Sequence, residues 1–103
     1  MLIKGEKMWI WIDAEVRPGK SEQEVKARRQ EWIGRGKDKL LLGRCKSAQR
    51  FGILGSSPRR VFWIIETEDE GTPKLISEHF GDVWDIRSYD VIPQSIAEVL
   101  KKI

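Results

Sequence analysis

The hydrophobic pattern is dominated by two short segments that consist of large apolar residues without interruption. They are Met8, Trp9, Ile10, Trp11 and Ile12 in the first segment, and Val61, Phe62, Trp63, Ile64 and Ile65 in the second. Successive side chains of a β-strand point to opposite faces, so each segment predicts a strand that is apolar on both faces. A small sheet contains such strands only when both of its faces are covered.

The residue types on each face predict what covers it. Aliphatic side chains interdigitate with a helix, whereas a broad interface between subunits accommodates large rings. We therefore expect Met8, Ile10 and Ile12 to lie beneath helices and the two tryptophans, Trp9 and Trp11, to lie on the other face. By the same reasoning Trp63 is expected beside these tryptophans, with Phe62 and Ile64 beneath the helices.

The first half of the chain predicts a strand followed by a helix. The strand extends from about Lys7 to Val16 and stops at the turn signal Arg17-Pro18-Gly19. Ser21 and Glu24 have the spacing of a capping box, and the helix they begin has Val25, Arg28 or Arg29, Trp32 and Ile33 at helical spacing. Gly34 and Gly36 end it. The connection 37–43 carries three leucines, Leu40, Leu41 and Leu42, which we expect to pack on the core.

The second half repeats this alternation. A polar strand over 44–52 has the character of an edge strand, and Gly55-Ser56-Ser57-Pro58 predicts a hairpin loop into the strand at Val61. Thr72-Pro73 predicts an N-cap and first helical residue, followed by an apolar stripe comprising Leu75, Ile76, His79, Phe80 and Val83. A last strand over 84–92 ends at Pro93, and Ser95 begins a short C-terminal helix.

The predicted order is βαββαβ, the ferredoxin-like α+β plan with an antiparallel four-stranded sheet. In this plan the first and third strands are central, in agreement with their two apolar faces, and both crossover helices cover the same face. No remaining segment is large enough to cover the other face. A second copy of the chain is the simplest cover, and we expect residues 1–103 to form one domain of a dimeric α/β barrel.

The composition limits the partners and the cellular location that we expect. The chain of 103 residues has a formal net charge of +3 that comes from interspersed acidic and basic residues, which does not favour nucleic-acid binding. Its one cysteine, Cys45, excludes an intramolecular disulfide, and a cytoplasmic location is expected. No apolar run approaches the length of a membrane span, so no membrane partner is expected.

Three segments carry a resemblance to known proteins. They are Val16-Arg17-Pro18-Gly19, the run from Arg60 to Asp69 that ends Glu66-Thr67-Glu68-Asp69, and Asp90-Val91-Ile92-Pro93. With these the chain resembles the dimeric α/β-barrel superfamily and, more narrowly, a family of short barrel proteins of unknown function. The resemblance covers about residues 7–98 and implies two sheets packed face to face around a central cavity. It implies no particular reaction.

The candidate ligand-binding residues combine aromatic walls with polar groups. They are Trp9, Trp11, Trp63, His79, Arg87 and Tyr89. His79, the one histidine, is better explained as a residue of the helix core than as a catalytic or haem-ligating residue, and the haem-degrading branch of the superfamily uses an asparagine that this chain lacks. A polar network on the last strand is a further explanation for Arg87 and Tyr89. No catalytic residue, metal site or cofactor is predicted.

Two classes of function remain open. One is a homodimeric barrel that binds a small apolar or aromatic molecule in its central cavity, with or without a reaction. The other is a non-enzymatic dimeric assembly or interaction module whose aromatic face is filled by packing. A cavity with an inward polar group would favour the first class, and a filled interior would favour the second.

Overall fold

The computed structural model describes residues 8–55 and 60–101. Along the chain the elements are β1 (Met8–Val16), α1 (Glu22–Gly34), α2 (Lys37–Arg44), β2 (Cys45–Gly52), β3 (Arg60–Thr67), α3 (Thr72–Phe80), β4 (Trp84–Val91) and α4 (Ile96–Lys101). The predicted start of the first strand at Lys7 lies outside the described residues. So does the predicted hairpin loop, apart from Gly55.

The four strands form one antiparallel sheet in the order β2-β3-β1-β4. This is the ferredoxin-like order, with the doubly apolar strands β1 and β3 at the centre. The helices α1, α2 and α3 contact one another, and their buried side chains form one core cluster with a single face of the sheet. The predicted fold class is confirmed, including the placement of the helices on one face.

Local signals explain where the helices begin. The backbone N–H of Glu24 donates to the hydroxyl oxygen of Ser21 at 3.1 Å, which caps α1 as predicted. Thr72 does not cap α3, because Gly71 occupies the N-cap position and the Thr72 hydroxyl lies 3.3 Å from that of Thr67 in the buried interior. The turn between β1 and α1 places Gly19 at φ 83°, where glycine is favoured.

The predicted 37–43 connection is the helix α2, and only one of its three leucines packs on the core. Leu41 is buried, whereas Leu40 and Leu42 are exposed. The expectation that all three pack inward was wrong. Adjacent residues on a helix are about 100° apart, so a short surface helix turns only part of a continuous apolar run towards the core.

The margins of the sheet are polar or irregular. The edge strand β2 pairs with β3 through a register shift between Cys45 and Ser47, which marks a bulge. On the other margin, β4 exposes Asp85, Arg87 and Asp90. The predicted C-terminal helix is present as α4, none of whose residues is buried.

Candidate functional site

The face of the sheet that points away from the helices, here called the open face, contains most of the candidate residues. In β1 the buried residues are Met8, Ile10, Ile12, Ala14 and Val16, and they alternate with half-buried Trp9 and Trp11. The aliphatic residues of β1 therefore lie beneath the helices and its tryptophans lie on the open face, as predicted.

The predicted orientation of β3 was wrong. Trp63 is 9% exposed and belongs to the core cluster beneath the helices, together with Val61 and Ile65. Its strand partner in β1 is Ile12, and directly paired residues of neighbouring strands lie on the same face. Phe62 and Ile64 are half-buried on the open face. Trp63 therefore shares no surface with Trp9 and Trp11.

Three rings form a stacked row across the open face. The rings of Trp11 and Phe62 are nearly parallel, with centroids 4.4 Å apart and an interplanar angle of 8°. Phe51 of β2 stacks on the other side of Phe62, with centroids 4.9 Å apart and an angle of 19°. Phe51 is 40% exposed, so the row provides an accessible flat aromatic surface.

Tyr89 and Arg87 of β4 extend the open face beyond β1. Tyr89 pairs with Trp11, and Arg87 pairs with Asp13, so both candidate residues lie on the same face as the aromatic row. Tyr89 is 51% exposed. The structure thus brings together four of the six candidates, Trp9, Trp11, Arg87 and Tyr89.

A charged cluster occupies the end of the open face near the carboxyl end of β1. An amino group of the Arg60 guanidinium lies 2.8 Å from Asp13 Oδ2, and Arg60 Nε lies 3.9 Å from Glu15 Oε2. Arg87 and Asp85 form a looser pair at 3.8 Å. The open face therefore has an aromatic part and a part where acidic and basic groups of both signs meet.

The open-face residues that sequence reasoning missed include Asp13, Arg60, Phe62 and Phe51. For the residues of β1 and β3, the sequence signal is where charged residues occur in the alternation of side chains between the two faces of each strand. Asp13 lies two residues after Trp11, and Arg60 two before Phe62, so charged and aromatic side chains share one face in each strand. That alternation identifies the open face of β3 independently of ring size.

His79 lies in the helical layer and not on the open face. Its Nε2 is 2.6 Å from the carbonyl oxygen of Arg28 in α1, and its ring packs edge-on against Trp32 and Phe80. These contacts join α3 to α1. The interpretation of His79 as a residue of the helix core agrees with this geometry.

Cys45 is an unactivated thiol. Desolvation raises its pKa above the ordinary value, against a smaller opposing effect of a hydrogen bond with Thr67. Since the thiolate is the nucleophile, this shift lowers reactivity at neutral pH.

Within residues 8–55 and 60–101, no three side chains of His, Cys, Asp or Glu are grouped so as to hold a metal ion. None of the described helices has the length and hydropathy of a membrane span.

Comparison with known proteins supports the fold and goes no further. No family model matches the chain, and no curated protein matches it in sequence. Among solved structures, an uncharacterised protein from Thermotoga maritima is 13% identical with a TM-score of 0.54, covering 84% of this chain and 100% of its own. A protein from Pseudomonas aeruginosa is 10% identical with a TM-score of 0.54, covering 88% and 98%.

A third structure is named for its assembly. It is a dimeric ferredoxin-like protein from an uncultured marine organism, 11% identical with a TM-score of 0.50, which covers 86% of this chain and 98% of its own. Such low identities show a shared fold and no shared activity. The chain is an α+β protein of the ferredoxin-like fold, whose structural neighbours include uncharacterised proteins and at least one dimer.

Proposed function

We propose that the protein is a homodimer that joins two copies through the open face and binds a small apolar or aromatic molecule between the two sheets. The observation that carries this proposal is the stacked row of Trp11, Phe62 and Phe51 on the face that the helices leave uncovered. The marine neighbour with the same fold is described as dimeric, which supports the assembly.

The hydrophobic effect favours a cover for the aromatic part of this face. Trp9, Trp11, Phe62, Ile64 and Val91 are only half-buried within one chain. Burial of apolar surface contributes ~25 cal/mol per Å², so a second sheet placed over these side chains would stabilise the assembly considerably. A two-fold arrangement is suited to such a surface, because the same patch is then used by both copies.

The charged cluster favours a cavity over a filled interface. Asp13 and Arg60, 2.8 Å apart, would lose water in a tightly packed interface, and that desolvation offsets much of the attraction between them. A chamber that retains water or a polar ligand beside them avoids this cost. We infer that a ligand lies with its flat apolar part against the aromatic row and its polar group towards Arg60 or Arg87.

The alternative is a dimer without a ligand, serving as an assembly or interaction module. The close stack of Phe62 between Trp11 and Phe51 favours this alternative, because rings already packed together leave less room for a guest. The two proposals share the dimer and differ in whether the space between the sheets is filled by side chains.

The assembly is tested with a matched pair of isoleucine variants. Ile64→Ser changes the open face, and Ile33→Ser changes an exposed isoleucine of α1 on the helix side. In sedimentation at low micromolar concentration we expect the wild type and Ile33→Ser to have the dimer mass and Ile64→Ser to dissociate. A folded wild-type monomer at that concentration would contradict the proposal.

Ligand binding is tested by a thermal-shift screen of small aromatic compounds, followed by a co-crystal structure. A compound that raises the Tm of the wild type should lose that effect in Tyr89→Phe or Arg87→Gln, both on the exposed strand β4. If no compound stabilises the wild type and the crystal structure shows a side-chain-filled interior, the assembly alternative is correct.

A further inference from the structure

The helix α1 turns an arginine towards the sheet. Of its thirteen residues only Val25 and Trp32 are buried, and they lie on one face, seven positions apart. Arg29 lies between them, four residues after Val25 and three before Trp32, so it shares the sheet-facing side of the helix. Within the described ranges its guanidinium has no hydrogen bond or ion pair. Arg29 is exposed, so its guanidinium remains accessible at this position.

A second arginine approaches the same space from the sheet. Arg50 of β2 pairs with Trp63, so it lies on the helix side of the sheet and not on the open face. Its guanidinium carbon lies 5.8 Å from the centroid of the Trp63 ring. Such a cation over an indole ring is held in place by the ring's electrostatic field.

The two arginines line one groove between α1 and the sheet. The groove has a volume of about 540 Å³ and is lined in part by Val25, Trp84 and exposed Ile33. It continues into a pit of about 50 Å³ that reaches Trp63 and is also lined by Arg29 and Arg50. Small-molecule sites in proteins have volumes of about 300–1,000 Å³, so the groove is of ligand size.

The groove is positively charged. It is lined by three basic residues, Arg29, Arg50 and Lys26, and by one acidic residue, Glu22. Asp38 is a second acidic residue, in the pit, and its Oδ1 accepts a hydrogen bond from Trp32 Nε1 at 2.5 Å. The groove and pit together therefore have three basic residues against two acidic ones. This excess of positive charge favours an anionic ligand. A carboxylate is a suitable anion, since guanidinium groups bind carboxylates through paired hydrogen bonds.

We propose that this groove binds a small organic anion with a flat apolar body, its carboxylate held by Arg29 and Arg50 and its body against exposed Ile33 and the accessible edge of Val25. The site lies on the opposite side of the sheet from the open face and does not depend on the proposed dimer. Its ligand differs in class from a neutral aromatic guest, because charge complementarity is the main source of recognition.

The experiment uses 2-naphthoate as the probe and 2-naphthylmethanol as its neutral counterpart. Binding is followed by NMR through the five tryptophan indole N–H signals, since the chain has tryptophans on both sides of the sheet. We expect 2-naphthoate to shift the signals of Trp63 and Trp84 and to bind about tenfold more tightly than the alcohol, the scale of a charge-assisted hydrogen bond.

Three variants locate the site. Arg29→Gln and Arg50→Gln, both exposed, should each weaken 2-naphthoate binding about tenfold and leave binding of the alcohol unchanged. Arg35→Gln removes an exposed arginine at the C-terminal end of α1 that lines neither the groove nor the pit, and it should have no effect. If Arg50→Gln perturbs the fold, as judged from its amide spectrum, Arg29→Gln decides the result alone.

Each other outcome overturns the proposal. Equal affinity for 2-naphthoate and 2-naphthylmethanol would show that the ligand is not recognised by its negative charge. Undiminished binding of 2-naphthoate by Arg29→Gln would show that the ligand does not bind in this groove. Shifts confined to Trp9 and Trp11 would place binding on the open face and support the proposed function instead. Absence of binding to the wild type at millimolar concentration would contradict the groove and leave the dimer proposal untouched.

Discussion

Phe62 and Trp63 are neighbours in the chain whose side chains lie on opposite faces of the sheet, so their truncation has different consequences. Trp63 belongs to the core, and Trp63→Ala should lower the free energy of unfolding by about 3–5 kcal/mol, the usual effect of removing a buried aromatic ring. Phe62→Ala should instead weaken self-association. Chemical denaturation and sedimentation of both variants measure the two effects.

Ile10 and Trp11 provide the matching comparison in β1. Ile10 is 2% exposed beneath the helices, so Ile10→Ala should lower the free energy of unfolding by about 2–5 kcal/mol. Trp11→Ala should mainly weaken association or ligand binding. Loss of association in Trp63→Ala at a concentration where the chain stays folded would contradict the assignment of faces in β3.

The histidine in the helical layer makes a modest contribution to stability. His79→Leu removes one hydrogen bond to a carbonyl inside α1 and keeps an apolar side chain against Trp32 and Phe80. The free energy of unfolding should change by no more than about 1–2 kcal/mol, and the variant should remain folded. Thermal unfolding measures this. A molecule that co-purifies with the wild type and is lost in a folded His79→Leu would indicate a binding role.

The residue-scale prediction from sequence succeeded for β1 and failed for β3 for a physical reason. Ring size was used to assign Trp63 to the open face, but an indole fits equally well beneath helices. What determines the face is the period of two, which puts Arg60 and Glu66 on the same side as Phe62 and Ile64. Charged residues at the ends of an apolar strand identify its open face better than the size of its rings.

At the scale of elements, one ion pair joins α1 to the turn between α3 and β4. The guanidinium of Arg28 contacts Asp82 with Nε 3.0 Å from Oδ2, and this hydrogen bond lowers the pKa of the Asp82 carboxyl below its ordinary 3.8. A carboxyl with a lowered folded-state pKa stabilises the protein above its unfolded pKa, and the stabilisation is lost as pH falls through the folded value.

This pair therefore predicts an acid-dependent difference in stability. Asp82→Asn should have a lower Tm than the wild type at about pH 6, and the difference should shrink as the pH falls towards about 2.5, because protonation of the wild-type carboxyl removes the ion pair. Arg28→Gln should show the same trend. A difference in Tm that stays constant between the two pH values would show that the ion pair does not contribute. Both partners are surface groups, so the effect is small.

The helix α4 is independent of the core. None of its residues is buried, and Ile96 and Leu100 are largely exposed. The double substitution Ile96→Ser and Leu100→Ser should therefore change the free energy of unfolding of the chain by less than about 0.5 kcal/mol. Denaturant unfolding measures it. A larger loss would mean that α4 packs on a surface beyond those that one chain provides.

The order of the four strands, the two crossover helices and the C-terminal helix was predictable because caps, prolines and hydrophobic periodicity act locally, whereas α2 was expected as a connection. The site was less predictable, since it depends on pairing between distant strands. Asp13 and Arg60 are separated by 47 positions in sequence and are brought together only by the register of β1 with β3. The register between two strands cannot be predicted from any short segment of sequence. The aromatic residues Trp9 and Trp11, in contrast, are identified from the sequence itself.

At the scale of the whole molecule, the two sides of the sheet have distinct roles in the proposals. The open face combines an aromatic row with a mixed-charge cluster, which suits association of identical copies because both signs are present on each. The helix side has a groove with an excess of positive charge. Salt should therefore weaken binding of 2-naphthoate in the groove more than it weakens association, and titrations at low and high ionic strength measure this contrast.

The bulge in β2 has a consequence for the behaviour of the protein in concentrated solution. An exposed margin of a sheet is a template on which further strands can add, and unlimited addition leads to fibrils. Here the register shift between Cys45 and Ser47 interrupts the regular hydrogen-bond ladder at the β2 edge of the sheet. At the other edge, the exposed charged residues of β4 disfavour the addition of an apolar strand. Growth in the plane of the sheet is disfavoured, which is consistent with the proposed association of open faces, an arrangement that ends at two copies.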